Sequence, residues 1–185
     1  MRDHALPPDL PVPGDDGAAD HLAGAAVPSV RLRSTRDRWI DVARAAPRFV
    51  LFAYPRAGRP GEPPPEGWDL IPGARGCTPQ ACAYRDLHAE FLARGLEVFG
   101  VSAQDTGHQQ EFARRVHLPF DLLSDADGAL RDAMRLPTFD HQGARLLKRL
   151  ALVVEDGRVR KVFYPVFPPD RNAEDVLGWI AAQGV

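Results

Sequence analysis

The order of hydrophobic and polar positions along the chain predicts strands that alternate with helices. Alternation at 27–32 and 38–42, on either side of a polar turn at 34–37, predicts an N-terminal β-hairpin. The continuous apolar run at 48–54 predicts a buried strand. The later predicted elements are strands at 97–102, 120–124, 146–155 and 159–166, and helices at 108–116, at 128–135 and after a capping Asp170. Elements in this order predict an α/β sandwich with a central mixed sheet flanked by helices.

Two segments fall outside this pattern. Residues 1–26 are rich in Pro, Gly and Asp and show little periodicity, which predicts an extended or disordered N-terminal arm before a domain at 27–185. Within that domain, 56–72 form a Pro- and Gly-rich insertion with a single tryptophan, Trp68. The composition of the insertion indicates a stiff surface spacer, and a docking segment for a partner is the alternative.

Composition and charge restrict the class of function. The 185-residue chain is 44% hydrophobic and 26% charged, as expected of a globular domain. Its formal charge of −2 argues against nucleic acid or an anionic membrane as a partner. The chain begins without an apolar signal-like segment and has no stretch of transmembrane length, which predicts a cytoplasmic protein with reduced thiols. The six histidines have no metal-ligand spacing with the cysteines, so we expect no zinc site. No other cofactor is expected either.

The two cysteines of the chain, Cys77 and Cys82, carry the most specific signal. Gly76 and the Thr78-Pro79 pair indicate a turn that leads into a helix, with Thr78 as the expected N-cap. An apolar stripe then follows at Ala81, Tyr84, Leu87 and Phe91. This phase places Cys77 on the buried side at the helix start and Cys82 on the more polar face. Free backbone N–H groups at a helix start favour a thiolate, so Cys77 is a candidate reactive cysteine.

The spacing of the two cysteines limits how they can pair. Five residues along a helix correspond to roughly 7.5 Å of rise and about 140° of rotation. A disulfide across that separation requires the backbone to move, so an oxidised pair implies a partly unwound helix. The alternative is that Cys77 and Cys82 are two unrelated small buried residues.

The residues around Cys77 resemble the peroxiredoxins, and most closely their bacterioferritin-comigratory, or Q-type, branch. The resemblance runs from about Val27 to the C-terminus. Its matching stretches are Gly76–Cys82 with Tyr84–Asp86, Phe49–Pro55, Val98–Ser102, Leu118–Asp125 and Arg149–Gly157. Together, in this order, they are far more specific than the spacing of the cysteines alone.

The resemblance implies a thioredoxin-like fold and a thiol-dependent peroxidase that reduces hydrogen peroxide or organic hydroperoxides. Cys77 would be the peroxidatic residue, which peroxide converts to a sulfenic acid, and Cys82 would be the resolving residue of an intramolecular disulfide. Thioredoxin or a similar dithiol protein would then reduce that disulfide. A monomer or a weak homodimer is expected.

The resemblance also assigns residues around the nucleophile. Arg149 matches the arginine that stabilises thiolate and peroxide, and Gln80 matches a residue that bridges to that arginine. One position departs from the family, because Ala74 stands where a Thr or Ser hydroxyl is usual, and Leu70 stands where a Pro is usual. Thr78 is the candidate to replace the missing hydroxyl, with backbone N–H groups of the longer loop as the alternative.

Two functions of other classes stay open on the sequence. A non-catalytic thiol redox sensor is compatible with the loss of the hydroxyl at Ala74. A thioredoxin-like protein disulfide oxidoreductase is compatible with the expected fold, although the chain lacks the Cys-x-x-Cys element that such a protein normally carries.

Overall fold

Seven strands form the central sheet of this protein, whose computed structural model describes residues 6–184. The strands of the described residues are β1 (Arg31–Ser34), β2 (Trp39–Asp41), β3 (Arg48–Ala53), β4 (Glu97–Ser102), β5 (Asp121–Ser124), β6 (Thr138–His141), β7 (Ala144–Leu147), β8 (Leu150–Glu155) and β9 (Arg158–Phe163). The helices are α1 (Cys77–Asp86), α2 (His88–Ala93), α3 (Thr106–Arg115), α4 (Ala129–Met134) and α5 (Asn172–Ala182). The sheet order is β2-β1-β5-β4-β3-β8-β9, and β6 pairs only with β7.

The sheet is mixed, as predicted. Strand β4 lies parallel to both β3 and β5, and the other pairs are antiparallel. Strand β3 is buried on both faces because successive side chains point to opposite sides. Val50 and Phe52 pack in the apolar layer that includes side chains of α1, α3 and α5, and Phe49 and Leu51 pack in the layer on the opposite face. These two layers make the core, and the first of them supports α1.

The N-terminal hairpin forms and extends the sheet. Strands β1 and β2 pair with Leu32 opposite Ile40, and β1 also pairs with β5. Residues 6–26 of the predicted arm run along the domain with one 3-10 turn at Asp20–Leu22, whose Leu22 is buried. Asp16 in this arm accepts from Lys148 Nζ at 2.6 Å and from the Tyr164 hydroxyl at 2.6 Å. The first five residues of the arm lie outside the described residues.

Several predicted boundaries are wrong. The strand expected at 27–32 lies at Arg31–Ser34, and the strand expected at 159–166 ends at Phe163. Two further boundaries differ near the start of β8 and of α5. The strand expected at 146–155 is divided into β7 and β8, because Leu147 pairs with Thr138 in a separate hairpin before the chain turns at Lys148 and Arg149. Asp170 does not cap the last helix. The chain first makes a 3-10 turn at Pro169–Arg171, so α5 begins at Asn172 without a side-chain cap. The division after β7 positions Arg149 at the head of β8.

The Pro-rich insertion at 56–72 has one buried residue near each end, and most residues between them are exposed. Ala57 is fully buried near the start. Trp68 is 5% exposed, and its ring centroid lies 6.1 Å from that of Phe139 and 5.4 Å from that of His141. The insertion is therefore attached to the body at both ends.

Within residues 6–184, no helix is long and apolar enough to cross a membrane.

Candidate active site

Helix α1 begins at Cys77 itself. Gly76 is the N-cap residue and adopts φ 104°, a left-handed conformation that favours glycine. Thr78 is therefore the second helical residue, and its expected role as N-cap is wrong, since no side chain caps this helix. Cys77 is 4% exposed and occupies the first helical position, at the positive end of the helix dipole. This is a setting in which a sulfur anion is stabilised.

Arg149 is the direct partner of the Cys77 sulfur. Its Nη2 lies 3.2 Å from Cys77 Sγ, and the side chain is almost completely buried at 3% exposure. The same guanidinium donates from Nε to the Gly73 carbonyl at 3.2 Å, and from Nη2 to the carbonyls of Ala74 at 3.1 Å and Arg75 at 3.2 Å. These carbonyls fix the guanidinium plane, so one positive charge is held rigidly against the thiol.

A buried chain of polar contacts continues from Arg149 into α5. Gln80 accepts a short hydrogen bond from Arg149 Nη1 and donates from Nε2 to Asn172 Oδ1 at 3.0 Å. The Tyr84 hydroxyl donates to the same oxygen at 2.8 Å. Sequence reasoning missed Asn172, because an Asn at the start of a helix is common and carries no signal for a partner 92 residues away. The hydrogen bond to Asn172 orients the Gln80 amide so that its oxygen faces Arg149.

The loop before α1 has the conformation that this arrangement requires. Gly73 has φ 76° and Gly76 has φ 104°, which bends the chain so that three successive carbonyls face Arg149. A Cβ on Gly76 would lie 2.3 Å from Pro169 Cγ, so this backbone packs directly against the turn that leads into α5. Ala74 is fully buried, and its carbonyl oxygen lies 3.8 Å from Cys77 Sγ. The position that lacks a hydroxyl is thus adjacent to the thiol.

Cys82 is buried, contrary to the expected polar face. It is 8% exposed and belongs to the core layer under α1. The end of α3 lies over this side of the helix, where Arg85 Nη1 donates to the Val116 carbonyl at 2.8 Å. Helical periodicity does not reveal such a second packing partner. Burial raises the pKa of the Cys82 thiol, and nearby Arg85 opposes this rise. Cys82 is therefore held as a neutral thiol while α1 is intact.

Cys77 opens to a cleft of about 690 Å³. Thr78 and Pro79 line it beside the thiol, and the insertion supplies much of the opposite wall, including Trp68. Within residues 6–184 the Thr78 hydroxyl makes no hydrogen bond to protein, which leaves it available to a ligand in the cleft. No group of three or more His, Cys, Asp or Glu residues in the described part of the chain could hold a metal ion.

The arrangement can stabilise a sulfur anion and, beside it, a second developing anion. The guanidinium contacts Sγ directly, and the first turn of α1 presents backbone N–H groups that no side chain caps. Thus Cys77 and Thr78 line the cleft, and Arg149 and Gln80 are buried next to the Cys77 sulfur. Cys82 lies in the apolar layer behind α1.

Comparison with known proteins agrees with this geometry. The family described as Redoxin matches residues 22–177. Peroxiredoxin Q, chloroplastic, of Oryza sativa subsp. japonica is 29% identical over 155 residues, which cover 83% of this chain and 64% of the rice protein. The chain thus spans less than two thirds of the length of that relative.

Solved structures with a similar fold include the peroxidoxin BcpB of Mycobacterium tuberculosis, with a TM-score of 0.71 and 26% identity over 87% of this chain and 97% of that one. A mutant of PrxQ from Xylella fastidiosa has a TM-score of 0.71 and 18% identity, and covers 88% of this chain and 97% of its own. The predicted thioredoxin-like α/β fold is confirmed.

Proposed function

The chain belongs to the redoxin family, with Q-type peroxiredoxins among its relatives, and on that premise we propose that it is a thiol-dependent peroxidase. The observation that carries the proposal is the 3.2 Å contact between Arg149 Nη2 and Cys77 Sγ at the start of α1, on the floor of an open cleft. A buried positive charge in contact with sulfur favours the thiolate, which is the nucleophilic form. The substrates proposed are hydrogen peroxide and organic hydroperoxides.

The first step is attack of the Cys77 thiolate on one peroxide oxygen. The S–O bond forms as the O–O bond breaks, which leaves a sulfenic acid and an alkoxide or hydroxide that takes a proton from solvent. Arg149 is placed to stabilise both the thiolate and the charge that develops on the leaving oxygen. Gln80 holds the guanidinium from one side, and Thr78 and the N–H groups of the first helical turn are the candidates to bind the peroxide where Ala74 has no hydroxyl.

The second step joins the two cysteines. The Cys82 thiol attacks the sulfenic sulfur, a disulfide forms, and the hydroxyl leaves as water with the thiol proton. Because both cysteines lie on α1, this step requires the helix to open between them. Thioredoxin or a similar dithiol protein then reduces the disulfide by thiol–disulfide exchange.

Peroxide turnover by three proteins tests the proposal. We expect wild type to consume peroxide steadily with thioredoxin present, and Cys77→Ser to consume none. Cys82→Ser should consume about one equivalent and stop as a sulfenic acid or an intermolecular disulfide, both visible by mass spectrometry. An active Cys77→Ser protein would contradict the assignment. A wild type that forms the disulfide but does not turn over would instead indicate a redox sensor.

Cytoplasmic location and a monomeric or weakly dimeric state stay predictions.

A further inference from the structure

The cleft above Cys77 carries more positive than negative charge. Its charged lining residues are Arg56, Arg59, Arg75 and Arg115, with Glu62 as the only carboxylate among the described lining residues. Much of the remaining wall is apolar and includes Leu6, Trp68 and several prolines of the insertion. A positive cleft with apolar walls favours a ligand that has an apolar body and a negative charge.

Three of the four guanidinium groups already have carboxylate partners. The pairs are Arg115 with Glu111 at 2.8 Å, Arg75 with Asp69 at 3.1 Å, and Arg59 with Glu62 at 4.0 Å. Arg56 is half-buried and, within residues 6–184, forms no ion pair and no side-chain hydrogen bond. Among the cleft arginines it is therefore the one whose positive charge has no carboxylate partner within the described residues.

The backbone next to Arg56 is held firmly by α3 and the loop before it. Gln104 accepts from the Ala57 N–H at 2.8 Å and donates to the Ala57 carbonyl at 3.0 Å. His108 Nε2 lies 2.7 Å from the same carbonyl oxygen, and Arg115 Nη2 donates to the Gly58 carbonyl at 2.8 Å. Ala57 is fully buried. The Arg56 side chain thus begins from a fixed point on the cleft wall, which reduces the entropy lost when it binds an anion.

We propose that Arg56 makes this enzyme selective for hydroperoxides that carry a carboxylate. The guanidinium pairs with the carboxylate, the apolar body of the substrate lies against the proline wall, and the hydroperoxide group reaches Cys77 Sγ. This inference rests on the proposed peroxidase function and adds a substrate class to it. The reaction at sulfur is unchanged, and the carboxylate takes no part in it.

A matched pair of substrates tests the selectivity. Cumene hydroperoxide and 4-carboxycumene hydroperoxide differ only in the carboxylate, so the ratio of their rate constants for oxidation of Cys77 isolates the charge. In low-salt buffer we expect wild type to favour the carboxylate about five-fold, the effect of one partly exposed ion pair. Arg56→Gln should bring the ratio to about one. Arg56→Lys should keep part of the preference, since lysine retains the charge without the planar fork.

Controls separate this inference from the peroxidase function. Arg160→Gln removes a 60% exposed arginine that lines a different cavity, so it should leave the ratio at the wild-type value. Added salt should reduce the wild-type preference. If wild type oxidises neither substrate, the proposed function is wrong. If it oxidises both at equal rates, or if Arg56→Gln or high salt leaves the preference intact, the peroxidase function stands and the role of Arg56 is wrong.

Discussion

Replacement of Arg149 by Met should remove most of the reactivity of Cys77 toward peroxide. The Nη2–Sγ distance of 3.2 Å corresponds to about 5 kcal/mol of direct attraction between unit charges at an effective dielectric constant of 20. Part of this is regained when the thiolate contacts solvent in the cleft. The loss seen when an oxyanion-hole donor is removed, about 2.7–4 kcal/mol, is therefore the better guide. We expect attack on peroxide to slow by roughly two to three orders of magnitude.

The same substitution also affects stability, and the assay must separate the two effects. Met leaves the carbonyls of Gly73, Ala74 and Arg75 and the Gln80 amide oxygen without their donor. At about 1 kcal/mol for each net hydrogen bond, the free energy of unfolding should fall by roughly 3–5 kcal/mol. Thermal unfolding followed by circular dichroism reports this loss and identifies the temperature at which the variant is folded.

The rate is then measured on folded protein in a Cys82→Ser background, with dimedone trapping of the sulfenic acid and mass spectrometry. Arg149→Lys should recover only part of the rate, because an ammonium group cannot reproduce the planar set of contacts. Arg145→Met is the matched control, since Arg145 lies on β7 with a 59% exposed side chain paired to Asp140, and it should react like wild type. A folded Arg149→Met protein that attacks peroxide within about three-fold of wild type would refute the role of Arg149.

Two further predictions concern the disulfide and the arm. Oxidation should speed amide hydrogen exchange mainly at residues 77–83 and in the preceding loop, because Gln80 must leave Arg149 when the helix opens. The rest of α1 should stay protected, since Tyr84 is fully buried and its ring lies 4.4 Å from that of Phe52. An unchanged exchange pattern, or peptide mapping that finds no Cys77–Cys82 bond, would contradict this prediction. Hydrogen bonds from Lys148 and Tyr164 hold the pKa of Asp16 well below its usual range, so its stabilisation is present above pH about 4 and declines as pH falls toward the depressed value. Asp16→Asn should therefore lower the free energy of unfolding by about 1 kcal/mol or less at neutral pH, since Asp16 is 46% exposed. In acid, the unfolding curves of Asp16→Asn and wild type should converge. An equal difference in stability between the two proteins at pH 7 and in acid would be inconsistent with this sign.

The sequence alone determined the parts of this protein that depend on local pattern. The run at 48–54 forms β3, a buried interior strand of the sheet, because a continuous apolar segment of that length fits a strand covered on both faces. The order of strands and helices led to the α/β architecture. The similarity around Cys77 indicated its position at a helix start and its proximity to Arg149, which is 72 positions further along the chain. That long-range pairing came from the family resemblance, since neither periodicity nor propensity carries information over such a distance.

Only the tertiary structure decided which elements pack against the cysteine helix. Helical phase places Cys82 away from the sheet, yet Cys82 is buried in the apolar layer that also includes Val116 at the end of α3. Asn172 reaches Gln80 because the turn at Pro169–Arg171 brings the start of α5 against Gly76. Likewise, β7 pairs with β6 and ends before Arg149 is reached, although the apolar pattern of the sequence continues from β7 into β8. In each case the residue contacts a segment that is distant in sequence. The pattern of apolar and polar positions around a residue carries no information about which distant segment will pack against it.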